Sequence, residues 1–209
     1  MKKVMLALLV LISVTEITNA QKGTYLLYGN VGFTANTDSI GSKTNSYNFN
    51  PGIGYQFKDN WTLGLNIAIG GSQQETVVGN VPTGNYNKTT SFNIGPFIRY
   101  SYPLGNIFSI YGQFELNYLS GTISPYDLVS GSYSGFGTDF FPAIGVNIKN
   151  GWALNLSIGG ISYQTKTYKG DLYVNSNGGV TNSANQFAVT FGQGATFGIS
   201  KNFGGSKKK

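Results

Sequence analysis

The sequence predicts an all-β protein, an eight-stranded antiparallel up-and-down transmembrane β-barrel. Three observations carry that prediction. Large apolar side chains alternate with Gly, Asn, Ser and Thr along eight segments, and the links between those segments are short and long in turn. The small polar face is also nearly free of charge, because charged residues make up only 11% of the chain. A water-facing protein surface carries about 25–35% charged residues. The bulky face is therefore assigned to lipid and the small polar face to a narrow, packed lumen.

Residues 1–20 read as a secretory signal. Lys2 and Lys3 precede an apolar run from Val4 to Val14, and Thr18-Asn19-Ala20 presents small residues to a peptidase, so cleavage is expected between Ala20 and Gln21. The run is shorter than the roughly 18 residues of a spanning helix. The barrel is expected over residues 21–203, followed by a polar basic tail over 204–209.

The elements follow in order. The first segment, Thr24 to Ala35, turns Tyr25, Leu27, Val31 and Phe33 outward. In the second, Tyr47, Phe49, Pro51, Ile53, Tyr55 and Phe57 alternate with Asn48, Asn50, Gly52, Gly54 and Gln56, a period of two that belongs to a strand. The third, Trp61 to Ser72, shows Trp61, Leu63, Leu65, Ile67 and Ile69, and the fourth, Ser91 to Tyr102, shows Phe92, Ile94, Pro96, Ile98, Tyr100 and Tyr102. The fifth, Ile107 to Ser120, carries Phe108, Ile110, Phe114, Leu116 and Tyr118. The sixth, Asp139 to Ile148, carries Phe140, Pro142, Ile144, Val146 and Ile148. The seventh, Trp152 to Tyr163, turns out Trp152, Leu154, Leu156 and Ile158. The eighth, Gln186 to Phe203, turns out Phe187, Val189, Phe191, Ala195, Phe197, Ile199 and Phe203.

Lys58-Asp59-Asn60, Pro103 to Asn106 and Lys149-Asn150-Gly151 are tight links with hairpin chemistry. Long polar loops are expected over Asn36 to Lys43, Gln73 to Lys88, Gly121 to Thr138 and Gln164 to Asn185. This asymmetry matches barrels with short periplasmic turns and long extracellular loops. A hairpin also repeats: Phe49, Pro51, Ile53, Gly54, Lys58, Trp61, Leu63 and Leu65 return as Phe140, Pro142, Ile144, Gly145, Lys149, Trp152, Leu154 and Leu156. Pro51, Pro96 and Pro142 oppose the strand reading, since proline removes a ladder donor; local bulges are the expected escape.

Aromatics gather at both ends of the strands, as membrane interfaces favour. Trp61, Tyr100, Tyr102, Phe108 and Trp152 form one girdle near the short turns. Phe33, Tyr47 and Tyr118 belong to the other. Strands of ten or more residues suit tilted membrane crossing, which needs about 9–11. A soluble periplasmic barrel with the same period would leave an almost uncharged surface in water.

On these residues the chain resembles the small eight-stranded outer-membrane barrels of Gram-negative bacteria, the OmpA-transmembrane and OmpX-like class. Thr196, Gly198 and the final aromatic Phe203 resemble the C-terminal signal of that class. Lys201 stands where the signal usually has an apolar residue, and six residues follow Phe203. The resemblance implies residence in the outer membrane among its lipids, delivery by the barrel-assembly machinery, and a monomer.

No catalytic, cofactor-binding or metal site is predicted. The chain has no His and no Cys, so imidazole general-base chemistry, on which barrel phospholipases, lipid A-modifying enzymes and omptin proteases rely as families, is ruled out. Any metal site would need oxygen ligands, and the carboxylates show no obvious pair. Gly52-Ile53-Gly54 and Gly192-Gln193-Gly194 lack the following helix of a dinucleotide loop. The net charge of +6 includes Lys2, Lys3 and the terminal Lys207, Lys208 and Lys209. No basic cluster remains inside the domain, so nucleic acid is not an expected partner.

Arg99 and Glu115 are predicted to point into the lumen from adjacent strands. Eight strands leave room only for side chains, so a structural interior pair is preferred over a gate. Tyr126, Tyr133, Phe136, Tyr168 and Tyr173 are candidate loop contacts for a surface ligand, because Tyr among Gly, Ser and Asn suits recognition. The expected role is non-enzymatic, in envelope structure or surface interaction through loops. The alternative is a small porin-like pore or OmpW-like conduit for ions or small apolar molecules.

Overall fold

Period-two alternation with scarce helix formers leaves the backbone one way to satisfy its polar groups within a membrane, a closed ring of strands. The computed structural model describes residues 22–126, 130–169 and 181–204. It contains β1 (Tyr25–Thr37), β2 (Lys43–Lys58), β3 (Trp61–Val78), β4 (Val81–Leu104), β5 (Phe108–Ser124), β6 (Gly131–Asn147), β7 (Trp152–Lys169) and β8 (Thr181–Phe203). Each strand pairs antiparallel with its sequence neighbour, and β1 pairs with β8 to close the barrel. The signal-cleavage residues Ala20 and Gln21, Tyr173 and residues 205–209 lie outside the described residues.

All eight predicted strands are present, and the predicted faces are the observed ones. Ile53, Tyr55, Leu63, Leu65, Phe114, Leu116 and Leu154 are exposed, whereas Gly52, Gly54, Gln56, Thr62, Gln113 and Ala153 are buried on the opposite face. Such an apolar exterior belongs in lipid. The predicted girdles occupy the two ends: Trp61 and Tyr100 are ladder partners with ring centroids 4.9 Å apart, and Tyr118 meets Phe136 at 5.7 Å.

The expected loops are shorter than predicted, because the strands run on past the apolar segments. The β3–β4 ladder continues to Val78 and Val81 around Gly79-Asn80, whose φ angles of 56° and 64° make the primed hairpin turn that matches strand twist. The β6–β7 ladder likewise reaches Ser132 and Lys169. Above the membrane both faces of the sheet are wet. Apolar alternation disappears there while backbone pairing persists. The β1–β2 link is a compact turn in which Asp38 Oδ1 accepts from the N–H groups of Ile40 and Ser42 at 3.1 and 2.8 Å.

Each of the three prolines sits where a ladder is interrupted on one side. Pro51 pairs with Gly29 of β1, but the β2–β3 ladder skips from Phe49 to Gly52. Pro96 pairs with Leu65 of β3, and the β4–β5 ladder skips from Ile94 to Phe97. Pro142 pairs with Gly112 of β5 and lies in the β6–β7 register shift between Phe140 and Ala143. Only Pro142 sits in a register shift; at Pro51 and Pro96 the ladder resumes in register. The missing donor is placed where no ladder bond is made.

Candidate functional site: a plugged lumen and its outer cup

The inward face departs from its small-residue rule at several places, among them Tyr28 on β1, Phe97 on β4 and Tyr111 on β5. These bulky side chains meet Arg99 across the lumen. The guanidinium carbon lies 4.2 Å from the Tyr111 ring centroid, 4.6 Å from Tyr28 and 5.7 Å from Phe97. Arg99 is only 4% exposed. Glycines on neighbouring strands make the space. A Cβ at Gly52 would collide with the Tyr28 ring, and one at Gly64 would lie 2.6 Å from both Phe97 and the Gly54 backbone.

Polar groups complete the plug. Arg99 Nε donates to Gln113 Oε1 at 2.6 Å, and Gln113 Nε2 donates to the Tyr28 hydroxyl at 2.9 Å and to Glu115 Oε1 at 2.5 Å. Glu115 Oε2 also accepts from Asn66 Nδ2 at 2.5 Å and Asn117 Nδ2 at 3.2 Å. The predicted inward pair is thus brought into one cluster, with Gln113 standing between the charges in place of a direct ion pair. Charge-assisted bonds in a low-dielectric interior hold such a network rigid.

The plug separates two cavities. One of about 900 Å³ lies on the short-turn side and reaches Asp59, Asn60, Gly105 and Lys149. The other, of about 320 Å³, lies toward the long hairpins and is lined by Asn30, Asn50, Asn93, Asn117, Glu115 and Asp139. Arg99, Tyr111 and Asn155 line both.

The upper cup ends at the seam between the first and last strands. β1 and β8 pair only from Tyr25–Phe203 to Gly29–Ile199, although β1 continues to Thr37 and β8 begins at Thr181. Above that point Gly29 and Asn30 on one side and Thr196 and Gly198 on the other line the cup. Val31 (79% exposed), Phe33 (75%) and Phe197 (74%) flank the gap, against 54% for Leu63 within the continuous wall. The gap lies beside an irregularity: the β7–β8 register shifts between Ser157 and Gly159, where Gly159 has φ 106° and a Cβ would collide with the Thr190 carbonyl oxygen. Bulges of this kind bend a strand away from its neighbour.

The predicted C-terminal signal residues therefore divide by position. Thr196 and Gly198 line the cup, whereas Phe203 pairs with Tyr25 at the end of the closed seam. Lys201 follows the outward phase of β8 and is buried there between two rings, with Nζ 4.9 Å from the centroids of both Trp152 and Phe203. Of the candidate loop contacts, Tyr133 and Tyr168 lie on strands as ladder partners of β6 and β7, with ring centroids 5.8 Å apart. Phe136 joins the outer girdle. Tyr126 is exposed at the rim, where its N–H donates to Asn87 Oδ1 at 2.9 Å.

Sequence reasoning did not single out Tyr28, Phe97, Tyr111, Gln113 or Asp139. The three aromatics carried a readable signal, since each falls out of phase with the bulky face of its own strand.

Comparison with known proteins agrees with the geometry. A family model described as the outer membrane protein β-barrel domain matches residues 4–192. The chain is similar in fold to the outer membrane protein OprG from Pseudomonas aeruginosa, at 14% identity and a TM-score of 0.50, covering 90% of this chain and 99% of that one. The translocator domain of the autotransporter NalP from Neisseria meningitidis gives 17% identity, a TM-score of 0.43 and coverage of 88% and 70%. A major outer membrane protein from Thermus thermophilus gives 12%, 0.39, and 87% and 98%. No curated protein matches the sequence. With an apolar exterior, a ring of eight antiparallel strands and a family match over most of its length, the chain belongs to the outer-membrane β-barrel family and resides in the bacterial outer membrane.

Proposed function

We propose that this protein is a non-enzymatic monomer that passes small amphipathic molecules sideways, from the cup on the long-hairpin side into the lipid at the β1–β8 seam. The observation that carries the reading is the early end of the β1–β8 ladder at Gly29–Ile199, with the cup lined by both strands immediately above it. Open sheet edges do not persist against hydrocarbon, and irregular backbone at membrane depth is tolerated where it lines a water-filled cavity. Asn30, Asn50, Asn93 and Asn117 give the cup beside the gap a polar lining. The Arg99 plug below argues against straight passage to the short-turn side.

The chain has no cysteine of its own, so a disulfide staple tests the reading cleanly. Val31→Cys with Phe197→Cys places one thiol on each lip. Proteoliposomes are expected to take up a small amphipathic fluorophore faster than empty liposomes, to lose that gain on oxidation and to recover it with reductant. Uptake indifferent to the staple would sink the proposal.

A surface-interaction role is the second reading, supported by the β3–β4 hairpin, which carries exposed Val77, Val78 and Val81 beside its tip. Surface adhesion that is lost when residues 76–83 are replaced by a Gly-Ser turn, with uptake intact, would favour it.

A further inference from the structure

Arg99 is a buried cation with donors to spare. It is 4% exposed, and its Nε donates to Gln113 Oε1. Of the five N–H donors of a guanidinium, the four on the Nη atoms meet no acceptor among the described residues, and no carboxylate forms an ion pair with the group. The Tyr111 and Tyr28 ring centroids lie 4.2 and 4.6 Å from its central carbon. That contact offsets part of the cost of burying the charge, yet it leaves the in-plane N–H groups unused. The Tyr111 hydroxyl likewise has no hydrogen-bond partner among the described residues.

These donors are not sealed off. Among the described residues the buried side-chain oxygens and nitrogens that lack both a partner and solvent contact are Asn66 Oδ1 and Asn117 Oδ1. The Arg99 Nη atoms and the Tyr111 hydroxyl therefore face open space, and both residues border the two cavities. Charge decides which cavity suits an anion. Glu115 and Asp139, ladder partners on β5 and β6, line the cup and repel an anion there. In the short-turn cavity the charged lining residues are Arg99, Asp59 and Lys149. Asp59 and Lys149 belong to turns at the mouth and oppose each other in sign, so the field at the floor is that of Arg99. A cation at the end of an otherwise neutral cleft with low-dielectric walls concentrates anions.

We infer that the floor of the short-turn cavity binds a small organic carboxylate, gripped by the Arg99 Nη groups with the Tyr111 hydroxyl as a further donor. The planar guanidinium fork matches the two oxygens of a carboxylate. One guanidinium also balances one negative charge, whereas a phosphate dianion would bring a second into the barrel interior, where an unpaired charge is costly. Ser101, the ladder partner of Tyr111, and Ser109 and Asn155 supply neutral polar groups to the same cavity. Its volume of about 900 Å³ lies within the roughly 300–1,000 Å³ of small-molecule sites, so the body of the ligand fits below its carboxylate. Carboxylate binding here is independent of the lateral conduit at the β1–β8 seam.

Calorimetric titration of the whole protein in a nonionic detergent, against blank micelles, with benzoate, benzamide and inorganic phosphate tests the site. Benzoate is expected to bind at least about tenfold more tightly than either of the others, a difference of about 1.4 kcal/mol. Three variants, each checked for heat-modifiable gel mobility, locate the binding. Arg99→Gln is expected to remove the preference for benzoate. Ser101→Asp keeps Arg99 and sets a carboxylate two residues along the same face of β4, where it takes the place of the ligand and is expected to abolish benzoate binding. Asn93→Asp adds the same charge on the cup side. It is expected to change benzoate affinity by less than about twofold, since about 20 Å of strand separates it from Arg99. Equal binding of benzoate and benzamide by the parent protein would overturn the inference, as would tighter binding of phosphate. So would a benzoate preference that survives both Arg99→Gln and Ser101→Asp, or one that is lost in Asn93→Asp and kept in Ser101→Asp. If Arg99→Gln does not fold, Ser101→Asp makes the same test with the guanidinium in place.

Discussion

The Arg99 guanidinium lies over the Tyr111 ring at 4.2 Å, from the neighbouring strand, and both residues line the cavity above the plug and the cavity below it. With Asn155, which also borders both cavities, the pair forms the partition of the lumen. Arg99→Ala removes the charged centre around which Tyr28, Tyr111 and Gln113 are arranged. Water paths from the two cavities are then expected to join. In planar bilayers the parent protein should be electrically silent, whereas Arg99→Ala should give steady ion conductance. The variant should also lose about 1–3 kcal/mol of stability from the buried Gln113 Oε1 left without its donor. A silent Arg99→Ala barrel that remains heat-modifiable would show that the remaining aromatics seal the lumen alone.

The reach of sequence reasoning follows from how local each feature is. Alternation in Tyr47 to Phe57 is a property of one segment, so the strand, its lipid face and its girdle residue Tyr47 were legible. The plug aromatics Tyr28, Phe97 and Tyr111 carry an equally local signal, as bulky exceptions on a small-residue face, but alternation alone did not single them out. The ladder above Gln73 was not legible, because with water on both faces Thr and Asn occur without alternation and only the Gly79-Asn80 turn marks the hairpin. Pairing of Glu115 with Asp139 depends on the β5–β6 register, and the seam depends on where β8 meets a strand at the other end of the chain. Register between separate strands is set by closure of the whole ring, which no single segment encodes.

Glu75 ties two elements together on the long-hairpin side. Its Oε2 accepts from the Lys43 N–H at 3.1 Å and its Oε1 from the Gly84 N–H at 2.8 Å, so one carboxylate joins the start of β2 to the β3–β4 hairpin beside a register shift between Glu75 and Val77. Removing it leaves two N–H groups to water and frees the hairpin to move. Glu75→Ala is expected to speed tryptic cleavage after Lys43 in folded barrels by about tenfold, the rate equivalent of losing roughly 1.4 kcal/mol of local opening free energy. Glu75→Gln keeps one oxygen acceptor and should fall between. Cleavage rates equal in all three proteins would show that the hairpin is held by its ladder alone.

Lys201 answers the departure from the C-terminal signal in physical terms. A cation on the lipid face is expensive near the bilayer centre and tolerable near the interface. Lys201 stands two residues from the last residue of β8, paired with Trp152, with its ammonium 4.9 Å from the Trp152 and Phe203 rings. The methylene stem lies along apolar surface while the head is held by the aromatic faces. Lys201 and Trp152 should therefore be energetically coupled. In a double-mutant cycle with Lys201→Met and Trp152→Leu, measured by urea unfolding of the barrel in lipid vesicles, a coupling of about 0.5–2 kcal/mol is expected. Additive effects would mean that the ring contact contributes nothing measurable. Lys201→Met alone, which restores the apolar residue usual in the assembly signal, should then raise stability instead of lowering it.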